Sequence, residues 1–368
     1  MINAVDPTYP FFPIASVLAT VMLLLVFLTS FIRQSWNLGV AFLCFWLFFE
    51  NLTNAINSIV WADNADIRLY AYCDIASWSV TRLQVFTSVV KPMATLIITR
   101  RLSIIASQHS VDPVDHVAKL RRNTAIEWTL GLLIPAIVAG PLFYVVQQLR
   151  FEVLEGFGCS NSQDGSILDL LLIWSWTVFP PLVSVIVYYP KIVLLLYRHN
   201  RSIDRFLQRD DSVSRSHYFR VLALASIDVI FTLPIGIASV VVALTDQASQ
   251  HNLPFYGGWV YVHSDWAPES YPYSELEAGG ALNAAQQYFG LWTTPVLAFI
   301  IFGLFGITSE ACASYRRLFH VLGSWRGWKA TSNEQESVQP ISGDTDLSVP
   351  PLDTWIEPEP RLAQGPLA

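Results

Sequence analysis

Apolar residues in this chain fall in long unbroken blocks, without the alternation of a half-buried strand or the stripe of an amphipathic surface helix. Seven blocks are long enough to cross a hydrocarbon layer as helices: 11–32, 38–60, 74–99, 124–147, 166–196, 220–244 and 281–305. They predict an all-α, polytopic membrane protein, a seven-transmembrane helix bundle over 11–319 behind a short outer segment 1–10. The first block lacks a basic leader, is too long for a signal-peptide core and is followed by Arg33, so it reads as a first span. Past about Ala330 the chain turns polar and rich in Pro, Ser and Glu, and 320–368 is expected to be a mostly disordered tail. No internal repeat of the inverted-transporter kind is visible.

The third block is the axis of the pattern. From Cys73 to Arg101 it is apolar enough to span, yet it carries Arg82 and Lys91 inside the apolar run. An ionised group at membrane depth is costly unless it is paired or faces water, so both positions are expected to face the bundle.

Composition supports the membrane assignment. The chain is 53% hydrophobic and 14% charged, against about 25% charged residues in soluble proteins. Its net charge of −7 hides a sorting of sign between alternate loops. With the amino terminus outside and the carboxy terminus cytoplasmic, Arg33, Arg100, Arg101, Lys119, Arg121 and Arg122 fall inside, as do Arg198, Arg201, Arg205, Arg209, Arg215, Arg220, Arg316 and Arg317. Only Arg68 and Arg150 fall in outer loops, the bias that positive-inside insertion requires. The sequons at Asn51 and Asn200 then lie in a span and in the cytoplasm, where neither is glycosylated. No basic patch for nucleic acid is present.

Cys73 and Cys159 share the outer, oxidising side, so a bridge between them would tie the second outer loop to the head of the axial helix. Two free thiols are the alternative. Cys312 lies at the inner membrane edge, as a palmitoylation site or an inert thiol.

Local sequence narrows the class. The chain reads W-N-L-G…F-W-L-F-F-E-N-L-T-N-A-I-N-S-I-V-W over 36–61, Y-C-D-I over 72–75 and I-I-T-R-R-L over 97–102. Further on come Y-V-V-Q-Q-L-R-F-E-V-L-E-G-F-G-C over 144–159, H-Y-F-R over 217–220 and F-G-L-F-G-I-T-S-E-A-C-A-S-Y-R-R-L-F over 302–319. In these motifs it resembles the fungal lipopeptide (a-factor-type) mating-pheromone receptors, a branch of class D G-protein-coupled receptors. The first inner loop departs from the family pattern, with Gln34, Ser35 and Trp36 between Arg33 and Asn37. The resemblance implies a plasma-membrane receptor for a farnesylated, carboxymethylated peptide. It also implies coupling to a heterotrimeric G protein through the alpha subunit. No cofactor and no metal are expected, since the seven histidines are scattered in loops without metal-ligand spacing. Homodimerisation is left open.

Depth along each span gives the candidate residues. Glu50, Asn54 and Asn57 share one face of the second span. Lys91 in the third and Asp228 in the sixth lie at similar depth, so an intramembrane polar cluster is expected in which Lys91 pairs with Glu50, Asp228 or both. It reads either as a latch that changes partners on activation or as a static polar knot. Arg82 lies about two turns below Cys73 on the face of Trp78, at the depth of an open pocket. With Tyr144, Gln147, Arg150 and Phe157 from the family segment, these form the candidate ligand contacts, with snorkelling to headgroups the plainer role for Arg82. The outer loop 245–280 carries acids and aromatics, with a hairpin turn suggested at Gly257-Gly258, and reads as a lid or as an aromatic belt. Pro234 and Pro295 are candidate hinges or fixed bends. Arg100, Arg101, Arg215, Arg220, Arg316 and Arg317 are candidate G-protein contacts, although positive-inside anchoring uses the same residues.

No metalloprotease, nucleophile-elbow or P-loop motif occurs, so no enzyme is expected. A retinal protein needs a lysine in the seventh span, and 281–305 has none. A seven-helix small-solute transporter is the remaining alternative.

Overall fold

The computed structural model describes residues 5–33, 37–74, 80–107, 113–198, 215–249, 254–308 and 311–316; the expected tail 320–368 lies outside them. Seven long helices carry the architecture. The first is Phe11–Arg33, the second Leu38–Val60 and the third Val80–Ser107. The fourth begins at Pro113–Trp128 and continues through two π-helical turns to Phe143–Val146. The fifth starts at Ile167–Asp169 and continues, again through two π-turns, to Tyr189–Arg198. The sixth is Arg215–Ser249, and the seventh is Ala281–Ile301 with a closing π-turn Phe302–Gly306.

Six of these helices are long and apolar enough to cross a membrane. The third falls short because of its charges, and its position explains why it can carry them. It packs against the second, fourth, fifth and sixth helices, and no residue from Thr81 to Ile105 is exposed. A helix walled in by four others needs no lipid-facing apolar surface. The first helix packs on the second and seventh, and the sixth on the third, fifth and seventh. At Gly39 a Cβ would lie 2.8 Å from Ile98 Cγ1 and 3.0 Å from the Ala94 carbonyl, so the second and third helices approach backbone to backbone.

Helices outrun the apolar blocks where the chain is polar. The third continues past Arg101 to Ser107, and the fourth begins in the hydrophilic stretch after Pro113. Hydropathy marks membrane depth, whereas the backbone ladder continues in water wherever no breaker stops it. Three of the four π-turns of the fourth and fifth helices accompany Pro135, Pro141 and Pro190; the other, Leu170–Trp174, has no proline beside it. A widened turn re-houses carbonyls that a proline leaves without a donor. Pro92, Pro234 and Pro295 sit instead inside uninterrupted α-helix.

One end of the bundle is closed by a three-stranded sheet of order β2-β1-β3: β1 is Glu152–Leu154, β2 is Gly158–Ser160 and β3 is Glu269–Tyr271. Strands β1 and β2 are antiparallel, whereas β3, from the loop before the seventh helix, is parallel to β1. Gly257-Gly258 does not make the expected hairpin turn. Gly258, at φ 94°, instead opens a short helix, Trp259–Val262. The loop's strand finds its partner in another loop, so no local turn is needed.

Candidate functional site

The capped end is built on the second helix. The disulfide Cys73–Cys159 joins the short helix Tyr70–Asp74 to β2, with Cα atoms 5.8 Å apart. Both sulfurs lie in a small core with Trp61, Phe151 and Val153. The Cys159 carbonyl accepts from Asn57 Nδ2 at 3.2 Å and from Gln84 Nε2 at 2.9 Å, tying β2 to the second and third helices. Tyr72 donates its hydroxyl to Asn57 Oδ1 at 3.1 Å. Gly158 sits at φ +79°, and a Cβ there would lie 2.7 Å from Asn57 and 2.8 Å from Trp61, so glycine is required twice over.

The remaining outer segments close on this core. Asp6 accepts from the Tyr288 hydroxyl at 2.9 Å, Tyr288 meets Tyr273 at 3.1 Å, and Glu155 accepts from the Tyr273 amide at 2.9 Å. Phe157 lies between Tyr273 and Tyr288. At the rim, Tyr144 gathers Trp259, His263 and Trp266, with ring centroids 5.1–5.7 Å from its own.

Of the candidate ligand residues, Trp78 lies outside the described residues. Arg82 donates from Nη1 to the carbonyls of Ala139 (3.0 Å) and Gly140 (3.3 Å) in the π-turn of the fourth helix, with its guanidinium over Phe143. Gln147 is buried and donates to the Leu149 and Arg150 carbonyls. Arg150 stacks over Tyr70 at 5.0 Å. Tyr144 and Phe157 belong to the two aromatic groups just described. The five described residues, Arg82, Tyr144, Gln147, Arg150 and Phe157, sit at one end of the bundle, each engaged within the cap or between helices.

Deeper in the bundle, Lys91 Nζ donates to Glu50 Oε1 at 2.8 Å, with the two side chains 15% and 12% exposed. Glu50 Oε2 and Asp228 Oδ1 are buried with no hydrogen-bond partner among the described residues. Asp228 takes its bond from Thr95, one turn along from Lys91, so the third helix grips the second with one residue and the sixth with the next. Asn54 joins through Thr294 of the seventh at 3.3 Å, whereas Asn57 turns to the cap. Sequence reading missed Gln84, Thr95 and Thr294, uncharged groups whose polarity only matters once the helices are packed.

At the opposite end, Arg100 donates to Asn123 at 2.8 Å and Arg101 lies 3.7 Å from Glu127. Arg220 is half-buried and Arg316 exposed. The side chain of Arg215 and the whole of Arg317 lie outside the described residues. Pro234 is exposed and Pro295 buried.

The cap carries a proton-linked feature. Glu152 stands in register with Glu269 across β1 and β3. Burial pushes its carboxyl up to about 7, opposed by a hydrogen bond with Ser160 and reinforced by the Glu269 charge. A carboxyl raised in the folded state holds its proton better folded than unfolded. Its stabilising contribution is therefore complete below the ordinary carboxylate range and lost as pH climbs through about 7. Thermal denaturation of purified protein should show Tm falling between pH 5 and pH 8, with the slope flattened in Glu152→Gln; a slope unchanged in that variant would contradict the assignment.

Comparison with known proteins gives the arrangement its relatives. The family model described as STE3, pheromone A receptor, matches residues 11–323, from the first helix to beyond the seventh. The chain is similar to the pheromone B alpha 2 receptor of Schizophyllum commune, with 29% identity over 84% of this chain and 46% of that protein. It is 30% identical to the pheromone B alpha 3 receptor of the same fungus over 84% of this chain and 47% of that protein. Pheromone receptor 1 of Mycosarcoma maydis is 30% identical over 78% of this chain and 77% of its own length. The chain thus spans about half the length of the Schizophyllum relatives it matches. With a match that runs through all seven long helices, the chain belongs to the STE3 pheromone A receptor family.

Proposed function

We propose that the chain is a plasma-membrane receptor for a farnesylated peptide mating pheromone that activates a heterotrimeric G protein. Its capped end faces the medium and its carboxy terminus the cytoplasm. The family match over residues 11–323 carries this reading. Sidedness is supported by the Cys73–Cys159 disulfide, which belongs in an oxidising compartment, and by the arginines and lysines at the other end.

The bilayer takes part in binding. A prenyl chain gains about 0.8 kcal/mol per buried CH₂, so the ligand concentrates in the membrane first. The rim offers it apolar surface in Trp259, 51% exposed, and Tyr261, 70% exposed, beside Tyr144. From there the peptide part reaches the cap, where Trp78, Arg82, Tyr144, Gln147, Arg150 and Phe157 are the candidate contacts. The third helix holds the sixth through Thr95, so a ligand that favours another placing of the sixth helix shifts the population between two packings. Pro234 gives the sixth helix a place to bend, and Arg220 and Arg316 stand at the end where the alpha subunit docks.

The test is a mating-pathway reporter cell lacking its own receptor, challenged with matched farnesylated and unprenylated peptides. The active farnesylated peptide should work at a concentration at least about a hundredfold lower than its unprenylated twin. Equal potency would overturn the lipid-borne path. Ligand-independent solute uptake by vesicles of purified protein, without nucleotide exchange on an added G protein, would replace the receptor with the transporter.

A further inference from the structure

The end of the bundle away from the disulfide holds a cavity of about 550 Å³ between the third, fourth and fifth helices. That volume lies within the range of about 300–1,000 Å³ that small-molecule sites occupy. Four cations line it: Arg100 from the third helix, Lys119 and Arg122 from the fourth, and Lys191 from the fifth. Among the described residues none of Lys119, Arg122 and Lys191 is salt-bridged, and the nearby Glu127 pairs with Arg101. Arg100 spends one terminal nitrogen on Asn123, while its other, Nη1, is buried without a hydrogen-bond partner. A buried guanidinium nitrogen left unpaired in a cationic cavity is a donor waiting for an acceptor.

Ile104, Tyr188 and Leu194 form an apolar side of the lining, and Ser103 and Asn123, the latter already held by Arg100, complete it. Leu194 is 53% exposed and its neighbour Val193 58%, so the cavity opens beside the surface that meets lipid tails. A ligand that suits both parts has a polyanionic head and a hydrocarbon body. One phosphodiester would answer a single cation, whereas each phosphomonoester brings about −1.5 to −2 charges and three strong acceptors.

We propose that this cavity binds a membrane lipid with a phosphomonoester-bearing headgroup, of the phosphoinositide class, from the leaflet at the basic end. The head sits among Arg100, Lys119, Arg122 and Lys191, and the acyl chains lie along the fifth helix past Leu194. Bound there, the lipid bridges three helices and stabilises the packing of their basic ends. Its placement in the cytoplasmic leaflet rests on the orientation proposed above.

The experiment uses the full chain in phosphatidylcholine nanodiscs, which present both leaflets and contain neither pheromone nor G protein. It can therefore fail while the receptor reading stands, and the reverse. Binding is measured for a short-chain phosphatidylinositol bisphosphate, a short-chain phosphatidylserine, soluble inositol trisphosphate and a hexaglutamate peptide as competitor. The bisphosphate lipid should bind at least about tenfold more tightly than the other three, and Lys119→Gln/Lys191→Gln should weaken it by roughly tenfold or more. Both lysines are exposed, so Tm of this variant in phosphatidylcholine should stay at the unmutated value. Unchanged lipid affinity in the double variant would overturn the site. Soluble inositol trisphosphate binding as tightly as the lipid would assign the cavity to a free anion, and hexaglutamate competing as well would assign it to an acidic protein segment; either overturns the lipid.

Discussion

Lys91→Met should leave little folded protein at the cell surface and lower the Tm of what can be purified. The substitution strands the Glu50 carboxylate, 12% exposed, beside an apolar side chain. Removing one partner of a buried pair costs about 3–5 kcal/mol, because the remaining charge keeps its desolvation penalty and loses its compensation. Asp228 cannot make good the loss, since it is itself acidic and already holds Thr95. Adding Glu50→Gln should recover most of the stability, as neutralising both members of such a pair costs far less than breaking it. Surface immunolabelling and Tm of the two variants read this out. Normal surface expression of Lys91→Met with altered basal signalling would instead make the pair a switch with a second partner.

The second large effect concerns the cap. Cys73→Ser or Cys159→Ser should destabilise the protein by about 2–5 kcal/mol, the usual loss for a native disulfide. The chain between the two cysteines, with a sequence separation of 86, contains the third and fourth helices. A bilayer already restricts how far those helices can separate, so loop-closure entropy is a smaller share here than in a soluble protein. The larger share comes from Asn57 and Gln84, which keep partners only while β2 presents the Cys159 carbonyl. Either serine variant should therefore raise amide exchange in β1 and β2 more than in the helices. Uniform exchange across the cap and the bundle would contradict that division.

Particular residues show what could be read in advance. The seven helices were visible because lipid-facing surfaces must be apolar over a fixed length, and the axial role of the third because its charges had to be hidden. The Glu50–Lys91 pair followed from depth and sign. Arg82 did not follow. Its acceptors are the Ala139 and Gly140 carbonyls, and no side-chain pattern advertises a backbone oxygen. The parallel pairing of β3 with β1 was equally hidden, because three-residue strands from separate loops carry no period. Thr95 and Gln84 leave a faint trace in the sequence, although only packing gives their polarity its partners. With Ser88, Lys91 and Thr99 they form a polar stripe at helical spacing down the third helix.

Which end of the bundle meets the medium can be decided by labelling single cysteines on intact cells with a membrane-impermeant maleimide. In a Cys312→Ser background, Ser270→Cys marks the exposed middle residue of β3 and Arg121→Cys an exposed position in the first part of the fourth helix. Ser270→Cys should label on intact cells, and Arg121→Cys only after permeabilisation. Labelling of Arg121→Cys on intact cells, with Ser270→Cys protected, would put the disulfide cap in the cytoplasm and contradict a pheromone-facing cap.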